Sequence, residues 1–397
     1  MIKPDKANPY LIIFALWLLV FAASSQVMII SPILPRISEQ LSTPLEALGT
    51  LVTVYASMVG LFAIIMGPLS DRIGRRKILL IGTGGISLFL ILHYFVTDFY
   101  GLLMVRALAG MAGGVLSGSA VAYVGDFFPY EKRGWANGWI MSGIAMGQIL
   151  GIPMGTVLAE QMGFRFPFVL FGIIMSMTFI LIYFKVPQPD VDLSAEKVTL
   201  KGSLAKYWKL LKRSEVRAVA VSYMFMFLSI SVFVVYFPTW LEETFEVSGN
   251  EIASLFLVGG VANVITGPIA GRLSDKVGRK SIVIFSCIGL SLVMYFTTTL
   301  ITEFWISYIL FFITMMLVAM RISPFQALST ELVRSNNRGS LMSLLIAIGQ
   351  IGYGLGGSLA GPFYVEKGFF SNTLMGAIMI LVMAFIVWRF VPEPDGL

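Results

Sequence analysis

GPLSDRIGRRK, from Gly67 to Lys77, returns as GRLSDKVGRKS, from Gly271 to Ser281. Asp275 stands 204 residues after Asp71, and Gly, Leu, Ser, Asp, a base, Gly, Arg and a base recur in register. Each copy joins two long apolar runs. A match of this length points to duplication inside one chain, and the flanking runs place that duplication in a membrane protein.

Composition agrees. The 397 residues are 57% hydrophobic and 13% charged, with a mean hydropathy of +0.85, whereas soluble domains use about 45–50% apolar and about 25% charged residues. Runs long enough to cross hydrocarbon as helices fall near 10–35, 45–67, 77–97, 101–125, 136–160 and 166–186, then near 217–241, 250–271, 281–301, 304–330, 340–364 and 369–391. A helix satisfies its own backbone polar groups there, so the expected fold is an all-α integral membrane protein. Twelve transmembrane helices would form two pseudo-symmetric six-helix bundles, 1–186 and 216–397, joined by a linker over 187–215. The first run is too long for a cleavable signal peptide and lacks a small-residue cleavage site before the next run.

The bases set an orientation. With both termini inside, 23 of the 28 Lys and Arg lie on the cytoplasmic side, and the outer loops hold Arg36, Arg165 and Lys367. By the positive-inside rule the chain is a multi-pass protein of the cell membrane with cytoplasmic termini. Its net charge of +6 is scattered over short loops, so no nucleic-acid partner is expected. The expected partners are the bilayer and a small molecule, with the chain acting as a monomer. In the linker, KGSLAKYWKLLKR from Lys201 has the pattern of an amphipathic helix on the inner leaflet. Cys287 is the single cysteine, which excludes a disulfide within one chain.

The paired segments resemble the signature of the major facilitator superfamily, G-x-L-a-D-r-x-G-r-k between helices 2 and 3 with a weaker copy between helices 8 and 9. The resemblance extends over the chain in helix number, inside termini and midpoint linker. It implies the major facilitator fold, in which two bundles rock about a central cavity, without a cofactor and with a proton gradient as the expected drive. It further implies a transporter, not an enzyme.

The repeated residues have a physical role of their own. Gly74 and Gly278 suit a tight two-turn connection, and Asp71 and Asp275 are placed to meet helix N-termini and the facing Arg75 and Arg279. Each half adds an acid at the cytoplasmic end of its fourth helix, Asp126 followed by Arg133 and Glu331 followed by Arg338, with both offsets equal to 205. Together with Gly67, Arg72 and Gly271, these residues form an expected conformational gate that latches the cytoplasmic side when the protein faces outward.

Polar residues inside the runs are candidates for the substrate site, because a charge near the bilayer centre costs about 2.5–3.5 kcal/mol and persists chiefly beside a wet cavity or a partner. Arg106, in RALAG, resembles the superfamily's helix-4 pattern of an Arg followed four residues later by Gly, found in proton-coupled exporters. Arg321 lies mid-helix in AMRISPFQ, ahead of Gln326. No carboxylate falls squarely mid-membrane. Where many exporters of the family carry a helix-1 acid, this chain reads ASSQVMIISP with Gln26, so proton coupling either falls to Asp126, Glu331 or Glu160 or is absent. The sole histidine, His93, is expected at the outer interface.

IAMGQI from Ile144 and IAIGQI from Ile346 place Gln148 and Gln350 as a pair facing each other across the cavity. Gly143, Gly147, Gly151 and Gly155 line one face of helix 5 for close packing. They match the family's antiporter motif in part, with Gln148 for its proline and Ile152 for its last glycine. Tyr223, Tyr236, Trp240, Phe325 and Tyr353, with 22 methionines, supply an adaptable amphipathic wall.

Three functions fit these residues. The first is proton-coupled export of amphipathic compounds. The second is carriage of an organic or inorganic anion held by Arg106 and Arg321. A membrane enzyme or non-transporting receptor is the third, and no paired carboxylates, metal-spaced cluster or activated nucleophile supports it.

Overall fold

The computed structural model describes residues 8–189, 200–333 and 338–393, with all their side chains except those of 67–71, 130, 200, 201, 203 and 204. Among the described residues, twelve helices long and apolar enough to cross a bilayer follow in order. Spans 1 to 6 are Pro9–Met28, Leu45–Met66, Arg75–Phe95, Phe99–Phe127, Glu131–Met162 and Arg165–Lys185. Spans 7 to 12 are Ser214–Phe245, Gly249–Val277, Arg279–Leu300, Phe304–Glu331, Arg338–Lys367 and Phe369–Phe390. Side-chain caps set some of the starts. Asp98 accepts from Gly101 N at 2.8 Å before span 4, and Ser248 with Glu251 forms a capping box before span 8.

Where the repeated motif predicts a two-turn connection, the helix instead continues. The helix of span 2 extends over Leu45–Ile73 and that of span 8 over Gly249–Val277, so the motif is the last turns of each helix. Gly74 and Gly278, each at φ 100°, are then the single-residue breaks before spans 3 and 9. The positive φ admits glycine with little strain. Span 1 likewise continues beyond Ile29 as Ile30–Leu41.

Two helix pairs carry most of the packing between the halves. Span 2 runs along span 11 and span 5 along span 8. Small residues permit the approach, since hydrocarbon gives no hydrophobic drive between helices and van der Waals contact must supply it. A methyl group at Gly49 would fall 1.9 Å from Gly357 O, and one at Gly260 would fall 3.0 Å from Gln148 C. Within the first half, the glycine stripe of span 5 packs on span 1, with Gly143 against Trp17, Gly147 and Gly151 against Ser25, and Gly155 against Ile29.

The two ends differ. At the end opposite the basic loops, Ser31 Oγ donates across the seam to Val234 O at 2.5 Å and Val235 O at 2.9 Å. Tyr236 Oη donates to Leu45 O at 2.5 Å and accepts from Gly49 N at 3.1 Å. That end is sealed. At the basic end, no comparable packing joins span 4 to span 10 among the described residues.

Candidate functional site at the seam

The polar centre of the molecule is built on span 4. Gly110 lets span 2 come close, because a methyl there would lie 2.4 Å from Tyr55 O. The approach brings the Tyr55 ring under Arg106, four residues from that glycine, with the guanidinium 4.3 Å from the ring centroid. Gln26 of span 1 completes the cluster: its Nε2 donates to Tyr55 Oη at 2.7 Å and its Oε1 accepts from Arg106 Nη1 at 3.2 Å. The Phe168 ring of span 6 has its centroid 5.8 Å from the guanidinium. From the second half, the Tyr353 phenol of span 11 lies within electrostatic reach of Arg106.

Arg106 is therefore a seam residue, not one that snorkels to the headgroups, and it is 1% exposed. Its hydrogen-bond partner is a neutral amide, and its Nε has no partner among the described residues. Cation–π contact and one amide compensate only part of the cost of burying a guanidinium. The cluster is poised for a ligand group that supplies electron density.

Gln26, Arg106 and Tyr353 thus come together, while Tyr55 was not foreseen. Its signal was a tyrosine inside LVTVYASMVG, five residues before Gly60. His93 corrects its interfacial assignment. It is fully buried in the first bundle, with Nδ1 2.8 Å from Phe89 O and its ring stacked 4.2 Å from Phe168. The turn at His93–Phe95 that ends span 3 folds the ring inward.

The remaining substrate-site expectations separate. Arg321 is 1% exposed, yet its described contacts stay in the second half: Nη1 is 3.5 Å from Leu317 O, and the Cys287 thiol of span 9 is its electrostatic neighbour. Tyr223 stacks on Phe325 at 5.1 Å inside the same bundle. Gln326 is exposed. Tyr236, fully buried, has its hydroxyl engaged in the seal. Trp240 stacks on Phe369 at 4.9 Å.

Gln148 and Gln350 do not face each other. A π-helical segment, Gly147–Gly151, carries Gln148 to span 8, where its Oε1 accepts from Asn263 Nδ2 at 2.8 Å. Gln350 packs instead on span 2, its Cβ 3.5 Å from where a methyl on Gly60 would stand. The hexapeptide recurs 202 residues on, out of the 205-residue register of Arg133 and Arg338, and its two glutamines lie on opposite flanks of the seam.

Some of the expected gate residues pair within each half. Arg75 Nε donates to Asp126 Oδ2 at 2.6 Å. In the second half Arg279 pairs with Glu331, and its Nη2 is 3.5 Å from Asp275 Oδ1. Arg133 Nε donates to Phe128 O at 3.0 Å, while Arg72 and Arg338 are exposed. Gly271 lies near Ser323, 3.5 Å from where a methyl would stand. The side chain of Asp71 and the position of Gly67 lie outside the described side chains.

A second sequence repeat lies beside these pairs. VPQPD from Val186 and VPEPD from Val391 are 205 residues apart. Gln188 Oε1 accepts from Arg76 N at 3.1 Å and Glu393 Oε1 from Lys280 N at 3.2 Å, so the chain leaving each bundle caps the helix after the motif.

The sealed end has a charge cluster of its own. Arg36 reaches Glu160 Oε2 through Nε at 2.7 Å and Nη2 at 2.6 Å, with Glu39 at 3.5 Å. Burial opposes the Arg36 charge, but Glu160, Glu242 and Glu39 outweigh it and hold the group above its ordinary pKa. Glu160 also abuts Gly249, where a methyl would lie 2.8 Å from Oε2. A carboxylate of the first half thereby sits at the N-terminus of span 8, which favours negative charge.

Twelve spans, an internal duplication and a polar centre on the seam between two bundles define a membrane transporter built for movement of one half against the other. The sequence pattern of the Major Facilitator Superfamily matches residues 16–229 and 219–397, and the chain belongs to that family. Transporters of this family are not enzymes and need no cofactor. The chain is 24% identical over 399 residues to the uncharacterized MFS-type transporter YwfA of Bacillus subtilis strain 168, covering 100% of this chain and 95% of the relative. It is 27% identical over 311 residues to the multidrug resistance protein MdtG of Proteus mirabilis strain HI4320, covering 76% and 75%. A solved D-xylose-proton symporter shares the fold, with a TM-score of 0.78 at 18% identity over 98% of this chain and 99% of that one.

Proposed function

We propose that this secondary transporter exports small amphipathic molecules bearing an anionic or strongly hydrogen-bond-accepting group. The observation that carries the reading is Arg106, buried at the seam on Tyr55 with Gln26 as its neutral partner. A ligand acceptor would complete the guanidinium, and the surrounding rings would take the apolar part. Similarity to a protein named for multidrug resistance supports export. In the plasma membrane with the basic end cytoplasmic, as the distribution of bases supports, the sealed end faces outward and the structure is an inward-facing state.

Proton exchange in this reading runs outside the Arg106 cluster, through the Glu160 and Glu242 carboxylates near Arg36. The acid–base clusters at the basic end act as the latch when the outer end opens, each holding its own bundle's loop in place. Inside-out vesicles with an imposed pH gradient test the reading. Accumulation of amphipathic anions that collapses with the gradient is expected. Uptake indifferent to the gradient overturns proton coupling, and uptake unchanged in Arg106→Gln overturns the site.

The second reading, a carrier for small anions, is favoured by the absence of a carboxylate partner for Arg106 among the described residues. It would rest on Arg106 without Arg321, since the two do not converge. Transport of inorganic or fully polar organic anions in preference to amphiphiles would select it.

A further inference from the structure

The linker forms a helix over Leu200–Leu211 that packs against spans 7 and 11. Between it and the seam lies a groove of about 450 Å³ lined by Ile64, Ala205, Tyr207, Trp208, Leu211 and Leu344. Ile64 belongs to the first half and Leu344 to the second, so the walls come from both moving parts. Ile64 lies seven residues before Asp71 of the charged motif, and Leu344 lies six residues after Arg338. The groove is therefore at the membrane boundary on the basic end.

The helix has two faces. Tyr207 and Leu210 are buried against the protein, each 6% exposed. Trp208 is 67% exposed, and Lys206, Lys209, Lys212 and Arg213 are exposed beside it. An apolar slot edged by an outward Trp and a row of bases matches an acyl chain below an anionic headgroup: rings of this kind settle at headgroup level, and bases near the surface draw anionic lipid.

We propose that this groove binds an anionic phospholipid, acyl chain between Ile64 and Leu344 and headgroup on the linker lysines. The site is independent of what the seam transports. Because spans 2 and 11 form opposite walls, the occupant couples to their spacing, and the lipid favours the state in which the basic end is apart.

The full-length protein in vesicles of phosphatidylcholine, with and without phosphatidylglycerol, tests the proposal. Phosphatidylglycerol carrying brominated chains is expected to quench Trp208 more than brominated phosphatidylcholine at equal content, read as the difference between wild type and Trp208→Phe. It is also expected to raise the thermal midpoint. A Lys206→Gln/Lys209→Gln/Lys212→Gln variant, altered only at exposed positions, should lose both effects. Ile64→Phe, which fills the slot and keeps the lysines, should lose the quenching while remaining in the bilayer. Equal quenching by the two lipids, or full phosphatidylglycerol stabilisation in the triple variant, overturns the proposal. Displacement of the brominated lipid by a transported amphiphile at one-to-one stoichiometry overturns it too, since the groove would then hold cargo.

Discussion

Arg106 on Tyr55, in spans 4 and 2, has a repeat counterpart in Phe311 on Gly259, in spans 10 and 8. The offsets of 205 and 204 are those of the duplicated motif and its acids. In the first half a cation lies 4.3 Å from a ring centroid and bonds an amide of span 1. In the second the ring of Phe311 fills the notch left by glycine, its edge 2.4 Å from where a methyl on Gly259 would stand, and stacks on Phe237 at 5.3 Å. Duplication preserved the crossing of the helices and not its chemistry. At this crossing the first bundle thus presents a polar cluster, and the second an apolar ring.

Arg321 sharpens the contrast. Its repeat mate is Leu116, which packs onto Gly82 of span 3. A leucine position inside one bundle has become a buried guanidinium inside the other, away from the seam. The two arginines share burial and differ in what they face.

The largest effect should come from erasing the difference. Arg106→Phe, which gives the first half the residue of the second, is expected to lower transport efficiency about 100-fold, the order of one or two charge-assisted hydrogen bonds to a ligand. The fold should survive, as read by an unchanged or higher thermal midpoint. Next is the seal. Arg36→Gln strands Glu160 beside Gly249 and should shift the ratio of outward-open to outward-closed molecules about 10-fold, allowing for its partial exposure; distance measurements between labels on the outer ends of spans 1 and 7 report it. Phe311→Leu should cost about 1 kcal/mol of stability, with transport nearly unchanged, if the second half is only a wall. Smallest is Glu331→Gln, which breaks an exposed pair with Arg279 worth about 0–1 kcal/mol. A large loss of transport from that change would transfer weight from the seam to the basic-end latch.

The spans, the duplication and the placing of Arg106 and Gln26 inside the helices were legible because each is a one-dimensional signal: apolar length, a repeated string, a polar group in hydrocarbon. Helix 5 glycines were legible for the same reason, as spacing states which face is small. The motif's backbone was not, since a Gly-, Asp- and base-rich string suits a loop or a helix end equally well, and only the φ of Gly74 and Gly278 decides. Tyr55 was hidden because a tyrosine in a membrane helix is ordinary until Gly110 brings its ring under a guanidinium. Gln148 and Gln350 misled because a shared string does not state which flank of the seam each residue faces. Arg321 misled for a related reason, as its charge signals a cavity or a partner without saying which bundle holds it.

The central claim, that cargo is held at the seam by Arg106, is tested most directly by binding. A panel of amphiphiles, sugars and organic anions screened by thermal stabilisation supplies a ligand, whose Kd is then measured for wild type, Arg106→Gln and Arg321→Leu. The account predicts a loss of about 100-fold for Arg106→Gln and affinity close to wild type for Arg321→Leu. Affinity kept in Arg106→Gln and lost in Arg321→Leu would contradict it.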